Sequence, residues 1–426
     1  MMPLSAGYRA CARRGVDTRR VDVLDGIRAL AILIVAWFHI WQQSWLRPPY
    51  LVIAGLREPV LNFEPLVRTG YIMVDVMLLI SGFLLFLPYA RHRVEGARRP
   101  SVKDFYVKRA LRILPSYWLC VLVMLFAFAL PAHGWRLDRW LRLDLITHLT
   151  FTHVFDAHTY VGTELNVVLW TLAIEVQFYL VFPLIARAFV RRPLWIWALL
   201  AGAGLAFRGF IVGPRPDTSL WVNQLPAFLD VYANGMLAAL LYVHMARSIQ
   251  HNRWTRLAGT ALALVAALAI WQLVLRHASP SPAAHADPYE TIRISQAKYR
   301  FLLSAYACVF ILASANAGAF LRYLLSNKAM RVASAISFQY YIWHQFLAAK
   351  MHNDWRFPPS LFEDQHNDPA WQWQFTLCAF LFPLILSLAL TYGVEAPLAR
   401  AGWRAWTRRK EKLKENRKIR IGGNPK

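Results

Sequence analysis

The first long apolar run of the chain holds two side chains that could do chemistry together, an arginine and a histidine. In the stretch LDGIRALAILIVAWFHI, Arg28 and His39 are eleven positions apart. At about 100° and 1.5 Å per residue, this spacing places both on nearly the same helix face, with His39 roughly 16 Å further along. A neutral imidazole can remove a proton from an attacking hydroxyl, or can itself carry a transferred group. His39 is therefore our first catalytic candidate, with an interhelical hydrogen bond as the structural alternative.

Two carboxylic acids lie in later apolar runs, where an ionised group must be paired or protonated. Asp75 stands in GYIMVDVMLLISGFLL, and Glu175 stands in LWTLAIEVQFYL. We expect Glu175 to orient His39 and set its protonation state, or to pair with an arginine. We expect Arg28 or His39 to be the partner of Asp75, although a purely structural ion pair fits the sequence equally well. Both acids are treated as catalytic candidates.

A basic cluster begins the third apolar run. In KRALRILP, the side chains of Lys108, Arg109 and Arg112 are spaced to project from one side of a helical turn. Guanidinium groups grip phosphates bidentately, and coenzyme A carries several phosphates. The alternative is ordinary anchoring by positive charge at the inner face of a membrane. The cluster is the predicted binding site for an acyl donor.

Three further polar side chains interrupt the apolar runs and are candidates for the same site. One lies in the SGFLL segment, one follows Glu175 by four residues, and one lies in YYIWHQFL. Each could contact a substrate or simply hold two helices together by a hydrogen bond. They are Ser81, Tyr179 and His344.

The elements that must position these residues are membrane helices. Of the 426 residues, 57% are apolar and only 17% are charged, which is too apolar for an ordinary soluble protein of this size. Crossing roughly 30 Å of hydrocarbon takes about 20 residues. Ten runs of that kind predict an all-α polytopic membrane protein: 26–45, 70–90, 112–131, 165–187, 194–212, 226–245, 257–275, 300–321, 332–350 and 375–393.

The placement of Lys and Arg orients these ten runs. If the N-terminus is cytoplasmic, 33 of the 48 basic residues lie in inner segments and 13 in outer loops. Short cytoplasmic loops carry such an excess, so both termini are predicted to be cytoplasmic. The net charge of +24 then requires no nucleic-acid partner. The outer-side histidines at 148, 153 and 158 do not share a helical face, so no metal site is expected.

Six motifs in order give the sequence a resemblance to a known family. The Arg28–His39 pair is followed by SGFLL, RALRILP, LWTLAIEVQFYL, YIWH and VEAP. In order and spacing these resemble the acyltransferase-3 family of integral-membrane acyltransferases over roughly residues 22–400. The resemblance implies about ten helices and transfer of an acyl group, commonly acetyl from acetyl-coenzyme A, onto sugars of surface polysaccharides, peptidoglycan or small glycosylated molecules. It also implies a bacterial inner-membrane location.

The resemblance also implies roles for individual residues. His39 matches the family's essential histidine and Arg28 the arginine paired with it, while Arg109 and Arg112 match a double-arginine motif thought to serve the acyl donor. Glu175 matches the buried acid. Many members append an extracytoplasmic esterase-like domain, so we expect any second transfer step to use a separate extracytoplasmic transferase, and a homo-oligomer is a further expectation.

The expected organisation is a basic cytoplasmic segment at 1–21, a ten-helix acyltransferase domain at 22–400 and a basic tail at 401–426 that touches membrane lipid. The main alternative function is a transporter or flippase of acylated or lipid-linked glycans. In that case the buried His, Asp and Glu groups would relay protons. A scaffold whose polar residues only join helices is the remaining alternative.

Overall fold

The computed structural model describes residues 21–51, 61–212, 214, 217–249, 252–279 and 288–422, and nearly all of them are helical. The predicted N-terminal segment therefore lies outside the described residues, apart from its last residue. Ten long helices follow one another along the chain: α1 Val23–Ser44, α2 Met73–Glu95, α3 Val102–Met124, α4 Trp170–Arg191, α5 Pro193–Ala206, α6 Leu229–Ser248, α7 Arg253–Ala278, α8 Pro288–Ala315, α9 Lys328–Asn353 and α10 Pro369–Leu390.

Shorter elements connect the long helices. Strands β1 (Tyr50–Leu51) and β2 (Leu61–Asn62) pair antiparallel after α1. A last helix, α11 (Ala396–Gly422), contains most of the predicted basic tail. The short α-helices are Glu64–Arg68, Leu130–Ala132, Arg139–Leu149, Ala157–Tyr160 and Ala319–Ser326. The 3₁₀ turns are Gly70–Ile72, His153–Phe155, Val167–Leu169, Leu225–Phe228 and Gln365–Asn367, and the π-helical segments are Leu125–Ala129, Phe207–Val212 and Thr391–Glu395.

Within the described part of the chain, nine helical stretches are long and apolar enough to cross a membrane. They correspond to nine of the ten predicted runs, which confirms an all-α, multi-pass membrane protein. The exception is the run at 332–350. It forms helix α9, but polar residues such as Gln339 and His344 leave it less apolar than the others. Those side chains are buried because α9 packs between α1 and α10, where polar groups can find partners.

Helix α1 occupies a central position and packs against α2, α9 and α10. The face that carries Arg28 and His39 therefore meets polar side chains of α2 and α9. Helices α2 and α6 approach each other closely at Gly82, where an added Cβ would lie 2.7 Å from the carbonyl oxygen of Tyr232. A small residue at this crossing lets the two backbones meet, as is common between membrane helices.

Helix α3 begins ten residues before the predicted run at 112–131. The Ser101 hydroxyl accepts a hydrogen bond from the backbone N–H of Asp104 at 3.3 Å, which caps the helix N-terminus. Helix α11 then packs on this first part of α3. Asp104 accepts hydrogen bonds from Trp406 Nε1 at 2.9 Å and from Lys410 Nζ at 2.6 Å. The charged beginning of α3 is thus held by the tail helix.

Candidate functional site

One polar cluster forms around Glu175, in the half of the bundle that contains Arg28. The Ser81 hydroxyl of α2 donates a hydrogen bond to Glu175 Oε1 at 2.7 Å, and the Tyr179 hydroxyl donates to the same oxygen at 2.6 Å. The Arg28 guanidinium lies close enough to Glu175 for charge interaction. Three helices therefore converge on one carboxylate. The sequence candidates Arg28, Ser81, Glu175 and Tyr179 are brought together as one group.

Two arginines of α3 extend this cluster. The Arg109 guanidinium lies 5.7 Å from the centre of the Tyr179 ring, and its Nε is buried with no hydrogen-bond partner among the described residues. Arg112 lies close enough to Arg28 for the two positive charges to interact. Like charges held together inside a bundle repel, so the group is suited to bind an anion. We call Arg28, Arg109 and Arg112 the arginine cluster.

Lys108 does not belong to this cluster, contrary to the spacing argument. Its Nζ lies 4.6 Å from the centre of the Trp403 ring of α11, on an exposed side of α3. Neighbouring residues on a helix point about 100° apart, so Lys108 diverges from Arg109. The prediction that all three basic side chains project toward one site is wrong for Lys108, because the tail helix covers the other face of α3.

Two further polar residues of the cluster were missed by sequence reasoning. Gln339 of α9 donates through Nε2 to Glu395 Oε2 at 3.0 Å and to the Ser116 hydroxyl at 2.6 Å. Glu395 in turn interacts electrostatically with Arg112. Glu395 entered the sequence prediction only as part of the VEAP motif, with no partner assigned to it. For Gln339 no sequence signal was available beyond its position in an apolar run.

The second site lies near the other end of α1 and consists of two histidines. The imidazole rings of His39 and His344 are 5.2 Å apart, centre to centre. His39 Nδ1 pairs with Gln42 Oε1 at 3.2 Å. His344 is fully buried, and its Nδ1 faces the backbone carbonyls of Tyr340 and Tyr341 at 3.1 and 2.8 Å. We call His39 and His344 the histidine pair.

The contacts of His344 determine which of its nitrogens is basic. A carbonyl oxygen can only accept a hydrogen bond, so Nδ1 must carry the hydrogen and Nε2 must carry the lone pair. That Nε2 is buried and has no hydrogen-bond partner in the described structure. In His39 it is likewise Nδ1 that is paired, here with Gln42 Oε1, so that Nε2 is left as the basic nitrogen. Each ring therefore has a nitrogen free to accept a proton or to attack an electrophile.

Glu175 is not the residue that orients His39. Its hydrogen bonds go to Ser81 and Tyr179, and it lies with Arg28, which is separated from His39 by eleven residues of helix or roughly 16 Å. The neighbour of His39 is instead His344. The second half of the expectation, that Glu175 meets an arginine, fits the structure. Glu175 thus lies beside the arginine cluster.

The expected pairing of Asp75 with Arg28 or His39 is also corrected. Asp75 is 1% exposed and its Oδ2 lies 3.1 Å from the Nε of Arg300, a residue 225 positions later in α8. A second buried ion pair lies nearby, in which Arg208 Nη2 is 2.6 Å from Asp230 Oδ2. These contacts match the structural alternative for Asp75. Arg300 is the first residue of the predicted run at 300–321 and was not considered as a partner of Asp75.

No candidate metal centre was found: within the described ranges, no three His, Cys, Asp or Glu side chains are grouped so as to hold an ion. The site instead consists of two groups of side chains, to each of which α1 contributes one residue. The arginine cluster offers donors for phosphate oxygens, and the histidine pair offers basic nitrogens. Such an arrangement can bind an anionic carrier at one end and react with the group it carries at the other.

The chain is similar in sequence to several known proteins. Peptidoglycan O-acetyltransferase OatA of Listeria monocytogenes is 26% identical over 198 residues, which are 43% of this chain and 28% of that protein. YrhL of Bacillus subtilis, provisionally named a peptidoglycan O-acetyltransferase, is 24% identical over 414 residues, or 92% of this chain and 57% of YrhL. Nodulation protein 10 of Rhizobium leguminosarum is 27% identical over 239 residues, 52% of this chain and 61% of that protein.

The chain thus spans less than two thirds of the length of each of these relatives. No solved structure is significantly similar to it. The family described as an acyltransferase domain matches residues 21–392, which include both the arginine cluster and the histidine pair. Since that match covers most of the sequence, the chain belongs to this acyltransferase family.

Proposed function

We propose that the protein transfers an acyl group, acetyl in the simplest case, from cytoplasmic acyl-coenzyme A to a hydroxyl of a cell-surface or secreted glycan. The observation that carries this proposal is the layout of α1, which takes part in the arginine cluster through Arg28 and in the histidine pair through His39. The names of the relatives support O-acetylation as the reaction class. The bacterial inner membrane is the proposed location.

The arginine cluster is the proposed binding site for the donor. Phosphate oxygens of coenzyme A accept hydrogen bonds from Arg109 and Arg112, and bidentate guanidinium contacts with phosphate are both strong and directional. The unpaired Arg109 Nε is one donor that such an anion would satisfy. Glu175, held by Ser81 and Tyr179, limits the repulsion among the arginines when no anion is present.

The histidine pair is the proposed reaction centre. The thioester reaches along α1 to His39, whose free nitrogen either removes the proton of the acceptor hydroxyl or attacks the thioester carbonyl. In the second route the C–S bond breaks as a C–N bond forms, and the acyl-imidazole is then cleaved by the acceptor oxygen. His344 Nε2 lies beside His39 and can hold the proton that is released.

The experiment is turnover of radiolabelled acetyl-coenzyme A by the purified protein in liposomes. His39→Ala should lower the rate by about 100-fold or more, the usual contribution of a general base or nucleophile. The matched control is His158→Ala, which removes an exposed histidine stacked on Trp140. A folded His39→Ala protein with full turnover would disprove the proposed role. Label retained on the wild-type protein would identify the covalent route.

A second pair of variants tests the donor site. Arg109→Ala removes a guanidinium whose Nε is buried, whereas Lys108→Ala removes a neighbouring charge that packs on Trp403. Loss of one charged hydrogen bond, worth about 1.5–3 kcal/mol, should raise KM for acetyl-coenzyme A about 10- to 100-fold in Arg109→Ala. The Lys108 variant should stay near wild type. Equal effects would show that only the total charge matters.

The transporter alternative makes an opposite prediction in the same liposomes. It requires movement of a glycan substrate without thioester cleavage, and it assigns the buried acids to a proton relay. Flux of an acylated or lipid-linked glycan that continues in the absence of any acyl-coenzyme A would favour it over the acyltransferase.

A further inference from the structure

A chain of three hydrogen-bonded side chains lies apart from both sites described above. The hydroxyl oxygen of Tyr71, in the 3₁₀ turn just before α2, lies 2.6 Å from His277 Nε2. The other ring nitrogen, His277 Nδ1, is 2.7 Å from the hydroxyl oxygen of Ser295. The three residues come from α8, the end of α7 and the turn before α2. A hydroxyl, a histidine and a third group that orients the histidine are the parts of an activated nucleophile.

The environment of the three residues suits this chemistry. His277 is 3% exposed and Ser295 is 9% exposed, so the hydrogen bonds between them are shielded from water. Tyr71 is partly exposed. Because both nitrogens of His277 are occupied, the histidine cannot contact a third hydroxyl directly. A reacting group must therefore meet Ser295 or Tyr71, with His277 as the base behind it.

The position of the three residues connects them to the histidine pair. The Phe38 ring lies 4.8 Å from the His39 ring and 5.1 Å from the Tyr71 ring, centre to centre. One aromatic ring thus separates His39 from Tyr71. Asp75, one turn after Tyr71, presents a fully buried Oδ1 with no hydrogen-bond partner in the described structure. The Tyr71 end of the three-residue chain and the histidine pair therefore share a contact with Phe38.

We propose that Ser295, His277 and Tyr71 form a second nucleophilic site, in which the Ser295 hydroxyl receives an acyl group as an ester and passes it to an acceptor hydroxyl. The nucleophilic site itself stands on the hydrogen bonds above, and only the source of the acyl group rests on the proposed function. The predicted topology places this site at the outer end of the bundle, where a glycan would approach.

Acyl transfer to Ser295 begins with removal of the serine proton. His277 Nδ1 takes the proton of Ser295 as the serine oxygen attacks the acyl carbon, and the bond from that carbon to its carrier, a thioester sulphur or the His39 nitrogen, breaks. The carrier leaves with the proton from His277. Once Ser295 is an ester it has no proton to share with His277 Nδ1, so the acceptor hydroxyl can give its proton to that nitrogen as it attacks the ester. Ser295 regains the proton as the ester bond breaks. Tyr71 holds the His277 ring in place through Nε2.

The first experiment labels the purified, full-length protein in detergent with a small radiolabelled fluorophosphonate, which reacts with activated serines. We expect label on Ser295, none in Ser295→Ala, and about 100-fold slower labelling in His277→Ala because the base is lost. Tyr71→Phe, which only removes one hydroxyl, should label more slowly than wild type. The matched control is Ser304→Ala, in the same helix, whose serine contacts Asn234 and no histidine.

The second experiment supplies labelled acetyl-coenzyme A and locates the label by peptide mass spectrometry. We expect acetyl-Ser295 in wild type and none in His39→Ala, while fluorophosphonate labelling of His39→Ala stays unchanged. Fluorophosphonate labelling without acetyl-Ser295 would leave the nucleophilic site standing and overturn the acyl source. A folded wild-type protein whose Ser295 resists the fluorophosphonate, or reacts no faster than the other serines, would overturn the proposal.

Discussion

At the scale of single residues, the unexpected neighbour of His39 is a second histidine rather than a carboxylate. His344 is fully buried and has a fixed tautomer, because its Nδ1 faces two carbonyl oxygens. A neutral base beside His39 can receive a proton without a permanent negative charge in the apolar interior, where such a charge is costly. The structure thus favours a pair of neutral imidazoles as the reaction centre.

This pairing predicts the kinetic effect of His344→Gln. Because the arginine cluster is untouched, KM for acetyl-coenzyme A should change by less than about twofold, while kcat should fall about 10- to 100-fold through loss of a proton acceptor. Steady-state turnover in liposomes measures both constants. An increase in KM at constant kcat would instead assign His344 to donor binding.

We expect His153, one of a second pair of buried histidines, to make the segment between α3 and α4 sensitive to acid. His148 and His153 are buried and stack face to face at 3.9 Å. Burial, and then the proximity of His148, lowers the pKa of His153 from 6.5 to about 2. The folded protein therefore keeps His153 neutral at pH values where the unfolded chain protonates it. The stability of the folded protein is therefore unaffected by His153 above about pH 6.5, and it falls as the pH drops below that value.

The measurement is the melting temperature in detergent between pH 7.5 and pH 5. Wild type should lose stability on acidification by up to about 1.4 kcal/mol per pH unit from this one group. His153→Phe removes the proton-binding difference and should show a shallower decrease. His158→Phe, which alters an exposed histidine, should follow wild type. Parallel curves for all three proteins would refute this assignment.

At the scale of helices, the contact of α2 with α6 fixes where Ser81 meets Glu175. Gly82 follows Ser81 directly, and its backbone lies against Tyr232 of α6. A bulkier residue there pushes α2 away and shifts the hydroxyl that bonds the acid. The helix crossing therefore acts on the arginine cluster, although no glycine belongs to the cluster.

Gly82→Val tests the close approach of α2 and α6. Its Cβ would lie 2.7 Å from the Tyr232 carbonyl oxygen, so we expect destabilisation by about 1–3 kcal/mol, typical of overpacking, and lower turnover. Gly202→Val is the control, since an added Cβ at Gly202 meets no atom within 4 Å. Melting temperature and turnover are measured for both. Similar losses in the two variants would show that helix propensity, not packing, is responsible.

Sequence reasoning succeeded where the information is local to one helix. The shared face of Arg28 and His39 follows from the helical repeat, and nine apolar runs follow from length and composition. It failed for partners on different helices. Asp75 meets Arg300 across 225 positions, and Glu175 meets Ser81 rather than His39. Periodicity shows which way a side chain points on its own helix, but the identity of the neighbouring helix depends on the packing of the whole bundle.

At the scale of the whole molecule, the function depends on which side of the membrane each site faces. The distribution of Lys and Arg predicts that the α2–α3 connection is cytoplasmic and that the α9–α10 connection is external. With that topology the arginine cluster would open toward the cytoplasm, where the proposed donor, acyl-coenzyme A, is found. The histidine pair and Ser295 lie toward the outer side.

Single cysteines in a cysteine-free variant test this orientation. Leu361→Cys, at a fully exposed position between α9 and α10, should react with a membrane-impermeant maleimide in intact cells. Arg98→Cys, at an exposed position between α2 and α3, should react only after permeabilisation. The opposite pattern would invert the molecule and place the arginine cluster where no coenzyme A is available.

The π-helical segments also set the direction in which later side chains point around the helix axis. Each wide turn inserts one residue into a helix and so turns everything after it by about 100° relative to an uninterrupted helix. Thr391–Glu395 contains Glu395 and immediately precedes α11. One inserted residue therefore sets both the direction of the acid toward Gln339 and the angle at which Trp406 reaches Asp104. Deleting it would turn Glu395 away from Gln339 and the tail helix away from Asp104 in a single step.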